Sequence, residues 1–325
     1  MTRVAASGRA LVTGIGGQDG SYLAERLLAD GLEVHALALA TDGPPAHCPP
    51  EVVLHQGDLA DIEATRRLVL DLRPGEVYNL AAISSVAQSW DEPDLVAKVN
   101  GTAAVALMET VRQAGDVRLV QASSAEIFGE PATSPQDEET PVRPVNPYGA
   151  AKAYAHLAAG VFRHRGVHAT SLVLYNHESP RRPERFVTSK ITAGVAAIAR
   201  GDADHLTLGN LDARRDWGWA PDYVDAMVRA ARADEPGDFV VATGVARSVR
   251  DFVAAAFAAA GIGDWEGLVR RDERFLRPAD PTELVGDATR ARRLLGWSPT
   301  VGFDEIVARM VTADLHAGRT SYDLS

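Results

Sequence analysis

The chain has a single cysteine, Cys48, so no disulfide can form within it, and a reducing cytoplasm is the expected setting. It has no run of eighteen apolar residues, so no membrane-spanning helix is expected. The first residues, Met1–Gly8, lack the apolar centre of a signal peptide and read as a short loose tail. The nine histidines are scattered and no Cys/His cluster has zinc spacing, so no metal site is expected. Positive charge is scarce: 33 Lys and Arg face 44 Asp and Glu, a formal net charge of −11. That argues against nucleic acid as a partner. It also means that an anionic ligand needs a local basic pocket working against the field of the whole chain. Repeats and low-complexity linkers are absent. What remains is an ordinary globular composition, 46% hydrophobic and 24% charged. Its 325 residues suffice for one large α/β unit or two domains.

The first organised stretch is a short apolar strand, Arg9–Thr13, followed at once by Gly14, Gly17 and Gly20 and then by helical spacing from Ser21 to Asp30. Strand, glycine turn and helix in that order are the first half of a dinucleotide-binding unit. The first glycine permits a tight turn, the second lets backbone approach a pyrophosphate, and the third lets the helix pack closely, its N-terminus facing phosphate. A purely structural glycine turn is the alternative for the motif alone.

Strands are predicted at Glu33–Leu39, Val52–His55, Glu76–Leu80, Arg118–Ala122 and Val167–Leu174, with helices at 62–72, 93–111 and 148–165 between them. Six strands alternating with helices imply a Rossmann-type, doubly wound parallel sheet over residues 1–174. Ligands of such sheets lie beyond the carboxyl ends of the strands, where the glycine turn, Asp58, Ser84 and Ser124 fall. Asp58 has two readings, an acceptor for an adenine amine or a cap for the next helix.

The central stretch runs from Arg118 to Lys152. Ser124 and Glu126 follow its strand, and Tyr148 and Lys152 stand four apart on one face of the next helix. A lysine beside a phenol is expected to lower the phenol pKa and make a base for a sugar hydroxyl. Tyr-x-x-x-Lys also arises by chance in helices, so the neighbours must decide.

From residue 175 the chain turns polar. Helices are predicted at 189–200, 222–233 and 248–260 and near Thr289 and Phe303, with strands at 205–211 and 239–243. This half reads as a smaller α/β substrate-binding region, 175–325, returning segments near 208–243 to the first domain. Arg181, Arg182, Arg214, Arg215 and Arg277 are read as loop residues, either solvated singly or together a clamp for a diphosphate.

With these motifs in place, the chain resembles the GDP-mannose 4,6-dehydratases, within the extended short-chain dehydrogenases/reductases. TGIGGQDGSYLAE, QASSAEIFG, NPYGAAKAYA, NHESPRR, RFVTSKI, LGNLDARRDWGWAPDYV, ATGVARSVRDFV and RPADPTELVGDATRARRLLGW carry the likeness along nearly the whole chain. NHESPRR and GNLDARRDWG are its specific parts. The resemblance implies a hydro-lyase: oxidation of a GDP-hexose at C4, loss of water across C5–C6, and hydride return to C6, without net redox change. It implies Tyr148 as base at the 4-hydroxyl, Ser124 on the 4-oxygen, Glu126 as base at C5, and Lys152 on the ribose. Gly14, Ile15, Gly16, Gly17, Gln18, Asp19, Asp58, Leu59, Leu80, Ala81, Ala82, Ser84, Tyr148, Lys152, His177 and Arg182 match cofactor positions. Ser84, Ser124, Glu126, Asn176, Val187, Lys190, Arg215 and Arg277 match substrate positions.

The chain also departs from the pattern. Leu39 and Ala40 stand where the family carries an arginine pair for a 2′-phosphate, with Asp42 nearby, so the cofactor is NADP or NAD. A shortened loop after Thr41 makes a homodimer plausible beside the family's homotetramer. Ile83, Ser85 and Trp219 replace polar family residues and keep a GDP-sugar epimerase or 4-keto reductase open as an alternative. A non-catalytic dinucleotide sensor is a further one, which the presence of Ser124, Glu126, Tyr148 and Lys152 disfavours.

Overall fold

The computed structural model describes residues 8–40, 44–272 and 283–320. Its frame is a seven-stranded sheet in which every neighbouring pair is parallel. The strands are β1 (Arg9–Thr13), β2 (Glu33–Ala38), β3 (Val53–Gln56), β4 (Glu76–Asn79), β5 (Arg118–Ala122) and β6 (His168–Leu174), joined by a later strand, Asp238–Val241. The order is β3-β2-β1-β4-β5-β6 with the later strand outermost. The order reverses between β1 and β4, and a crevice opens there at the strand ends.

Helices cover both faces, which is why the strands are apolar almost throughout. On β1, Ala10 and Val12 face one core while Leu11 faces the other. The first core takes Leu23, Ala24 and Leu27 from α1 (Gln18–Ala29). The second takes Val69 from α2 (Ile62–Leu72). The α2 cap is Asp61, which accepts from the Ala64 N–H at 3.0 Å; Asp58 instead accepts from the Ala60 N–H at 2.8 Å.

Two helical stretches differ from expectation. Ser85 caps an unforeseen short helix, α3 (Val86–Asp91), accepting from the Gln88 N–H at 3.2 Å. The helix expected over 93–111 is α4 (Pro93–Val96), a π turn at Ala97–Thr102 and α5 (Ala103–Ala114). The π turn seats Gly101 against α6 (Pro147–Arg163), where a Cβ would lie 3.2 Å from the Tyr154 ring.

The remaining elements divide between the large sheet and a smaller body over the crevice. They include β7 (Asn176–Glu178), α7 (Val187–Arg200), β8 (Leu206–Leu208), β9 (Arg214–Trp219) and α8 (Ala220–Ala231). The outermost strand of the large sheet is β10 (Asp238–Val241), followed by β11 (Ala246–Ser248), α9 (Val249–Ala259), β12 (Val269–Arg271), β13 (Glu283–Leu284), α10 (Thr289–Leu295) and α11 (Phe303–Thr320). Helix α8 packs Val224, Met227 and Val228 into the first core beside α1. Helices α7, α9 and α11 enclose a separate core with Ile191, Trp217, Phe252, Phe257 and Met310. Arg214 and Arg215, expected in a loop, lie instead on strand β9. The strand is fixed by Asp216, fully buried, which accepts from the Thr243 hydroxyl and from the Thr243 and Gly244 N–H groups. Among the described residues no helix is long and apolar enough to cross a membrane.

Candidate active site

The crevice is a cleft of about 860 Å³ between the carboxyl ends of the sheet and the smaller body. A buried polar ladder sets its floor. Thr13 Oγ1 donates to Asn79 at 2.8 Å and accepts from the Leu80 and Ala81 N–H groups at 3.1 Å each. Asn79 Nδ2 donates to Gln121 at 2.8 Å, tying the ends of β1, β4 and β5 together.

The glycine turn lines one end of the cleft. Gly14 has φ +78°, and a Cβ there would sit 2.7 Å from the Ala81 nitrogen. A Cβ on Gly20 would sit 2.3 Å from the Gly14 carbonyl oxygen, so α1 packs on the turn only without side chains. Gly17 caps α1 with no side-chain hydrogen bond, and the first-turn amides point toward the cleft end where an anion is favoured. These features, with the small walls Ala81 and Ala82, fit a dinucleotide. Ile15 and Leu59 turn into the cores, and Asp58 is exposed and outside the cleft lining.

Beside the glycine turn lies an ion pair across the two halves of the chain. His177 Nε2 is 2.8 Å from Asp19 Oδ2, and its Nδ1 is 2.6 Å from the Tyr175 carbonyl oxygen. Both ring nitrogens thus face acceptors, which suits the imidazolium form. Burial opposes that charge, but Asp19 outweighs it and holds the His177 pKa above its ordinary value. Burial likewise opposes the Asp19 charge, and His177 outweighs it, holding that pKa below its ordinary value. Gln18 reinforces the joint, donating to the His177 carbonyl oxygen and accepting from the Ser179 hydroxyl.

At the centre of the cleft stand Ser124, Glu126, Tyr148 and Lys152. Ser124 caps a short 3-10 turn at Ala125–Ile127, and its hydroxyl lies near enough to Tyr148 to favour the ionised phenol. Glu126 faces the same cleft, and its charge is felt at Tyr148. Lys152 donates to the Ala122 carbonyl oxygen at 2.9 Å, and its ammonium lies 5.9 Å from the Tyr148 ring centre. The lysine-lowered phenol expected from the spacing is not what these groups show. Burial pushes Tyr148 up to about 12, against the lowering influence of Ser124, and burial draws Lys152 down to about 8.

Toward the smaller body the cleft is lined by Ser84, Asn176, Arg182, Arg185, Phe186, Val187, Lys190, Arg215 and Trp217. Of the expected arginine group, Arg182 and Arg215 face the cleft. Arg181 instead lies over the Tyr22 ring and pairs with Glu25, and Arg214 pairs with Glu283. Arg277 lies outside the described residues. Trp219, expected to reshape the pocket, packs under Arg309 outside the cleft lining, and Ile83 is also outside it. Sequence reading missed Trp90, Arg185, Phe186, Asn210 and Trp217 as cleft residues. Arg185, Phe186, Asn210 and Trp217 lie within the family motifs, but which way a strand or loop side chain turns is set by packing.

A glycine-turn dinucleotide unit at the switch point of a parallel sheet, with Ser124 just beyond β5 and Tyr148 and Lys152 at the start of α6, defines an extended short-chain dehydrogenase/reductase. Comparison with known proteins narrows this. The profile of the GDP-mannose 4,6 dehydratase family matches residues 11–310. The human GDP-mannose 4,6 dehydratase is 42% identical over 96% of this chain and 92% of its own length. GDP-mannose 4,6 dehydratase 2 of Arabidopsis thaliana is 43% identical over 95% of this chain and 87% of its own. Among solved structures, the UDP-glucose 4-epimerase of Thermus thermophilus in complex with NAD superposes with a TM-score of 0.84 at 31% identity, covering 94% of this chain and 98% of that one. The chain belongs to the GDP-mannose 4,6-dehydratase family.

Proposed function

We infer that this chain converts GDP-mannose, or a close GDP-hexose, to the GDP-4-keto-6-deoxy sugar. The observation that carries the reading is that Glu126 lines the same cleft as Ser124 and Tyr148, close enough for its charge to act on the phenol. Oxidation at C4 alone needs a hydroxyl, a phenol and a lysine; expelling water also needs a base at C5. Ser124 holds the sugar 4-oxygen and Tyr148 takes its proton. The ketone at C4 then acidifies C5–H, which Glu126 removes. Bound along Gly14–Asp19 and Leu80–Ser84, NAD(P)+ would supply the hydride acceptor for C4, the donor for C6, and a positive charge beside the buried phenol. Lys152, anchored on Ala122, reaches the ribose hydroxyls.

Arg182, Lys190 and Arg215 give the acidic chain a local basic wall suited to a diphosphate, and the segment after residue 175 supplies most of that side. Two of the substitutions that kept an epimerase or reductase open, Ile83 and Trp219, lie outside the cleft lining, which favours the dehydratase.

NAD is the preferred cofactor in this reading. Leu39, at the end of β2, is 65% exposed, and no Lys or Arg occurs between Arg26 and Arg66 to meet a 2′-phosphate. A homodimer is also proposed. Tyr154, Leu157 and Val161 form an exposed apolar stripe along α6, and Leu157→Asp should yield monomers by light scattering if it is the contact.

The test of function is incubation of the pure protein with GDP-mannose, without added reduced cofactor. A GDP-sugar lighter by one water is expected. No such product from any GDP-hexose would contradict the reading.

A further inference from the structure

Glu126 is held by a residue that the chemistry above does not use. Asn146 is 4% exposed and caps α6, its Oδ1 accepting from the Gly149 N–H at 2.7 Å. A backbone N–H can only donate, so the oxygen end of the amide must face Gly149 and the nitrogen end must face the other way. That nitrogen, Nδ2, donates to Glu126 Oε2 at 2.8 Å. The backbone of the same turn is pinned as well. The Glu126 N–H donates to Ser124 Oγ at 3.2 Å, and a Cβ on Gly149 would lie only 2.5 Å from the Glu126 carbonyl oxygen.

We propose that Asn146 is the positioning residue for the elimination step, fixing Glu126 so that Oε1 alone exchanges the proton with substrate. The inference rests on the dehydratase reading. Because Nδ2 can only donate, Oε2 stays an acceptor. The C5 proton therefore lands on Oε1 as the C5–H electrons form the C5–C6 double bond. The C6–O bond breaks with its electron pair on oxygen, which takes that proton from Oε1 and leaves as water. Glu126 returns to a carboxylate in the same cycle. One asparagine thus couples the start of the tyrosine helix to the carboxylate, so that the two bases share one rigid reference.

The test uses the wild-type holoenzyme, Asn146→Ser and Asn146→Asp with GDP-mannose. Both variants keep a side-chain acceptor for the helix cap, so α6 is retained. Neither offers Glu126 the amide donor. The expected loss in kcat is on the order of ten- to a hundredfold, as for losing a hydrogen bond to a charged group. KM and cofactor affinity should hold. The loss should fall after C4 oxidation: reduced nicotinamide, read by its near-ultraviolet absorbance, should build up in the variants, and the isotope effect from deuterium at C5 should grow. A wild-type kcat in either variant overturns the proposal. So does a loss with no build-up and no larger C5 effect, or one that merely follows a fallen melting temperature, which assigns Asn146 to the cap alone. Absence of product from the wild type would instead remove the dehydratase reading, a distinguishable failure.

Discussion

Asp19 and His177 meet at 2.8 Å although they are 158 residues apart, and they bind the glycine turn to the strand that opens the smaller body. Each holds the other in its charged form against burial.

Stability should therefore vary with pH in a defined way. The raised His177 contributes fully below its ordinary 6.5, and its contribution is lost as pH climbs through the raised value. The lowered Asp19 contributes fully above 3.8 and is lost as pH falls through the lowered value. The fall in melting temperature caused by His177→Gln should be largest near about pH 5.5 and smaller at about pH 9. A pH-independent difference in melting temperature between the two proteins would count against the pair.

Glu126→Gln and Tyr148→Phe should fail at different points. Each should lower kcat by roughly 10²–10⁴-fold, the usual scale for losing a general base. Glu126→Gln should still reduce the bound nicotinamide on mixing with GDP-mannose, whereas Tyr148→Phe should not. Rapid-mixing absorbance separates them, and an identical silent trace from both would contradict the division of labour.

Much of the fold and of the cleft was legible in the residues. The parallel sheet follows from apolar strands alternating with helices, and Gly14 and Gly20 sit where only glycine fits. Ser124, Glu126, Tyr148 and Lys152 do share one cleft. What could not be read was anything set by packing across the chain. Tyr148 is shifted upward because it is buried, which spacing from Lys152 cannot reveal. Arg214 and Arg215 are neighbours, but strand alternation sends one to Glu283 and the other to the cleft. Helix α3, which brings Trp90 to the cleft wall, is short and carries little sequence signal beyond its Ser85 cap.

Cofactor choice gives a binding prediction. Titration calorimetry should find NAD+ bound at least about tenfold more tightly than NADP+, the worth of one charge-assisted contact that a 2′-phosphate would lack here. Leu39→Arg should narrow or reverse that ratio by strengthening NADP+ binding alone. Tighter NADP+ binding by the unaltered chain would contradict the assignment.

The most direct test of the central claim follows a single hydrogen. GDP-mannose carrying deuterium at C4 should give a 4-keto-6-deoxy product with that deuterium at C6, with no added reduced cofactor. Loss of the label to solvent, or a hydroxyl retained at C6, would contradict a hydride lent from C4 and returned at C6 within one cleft.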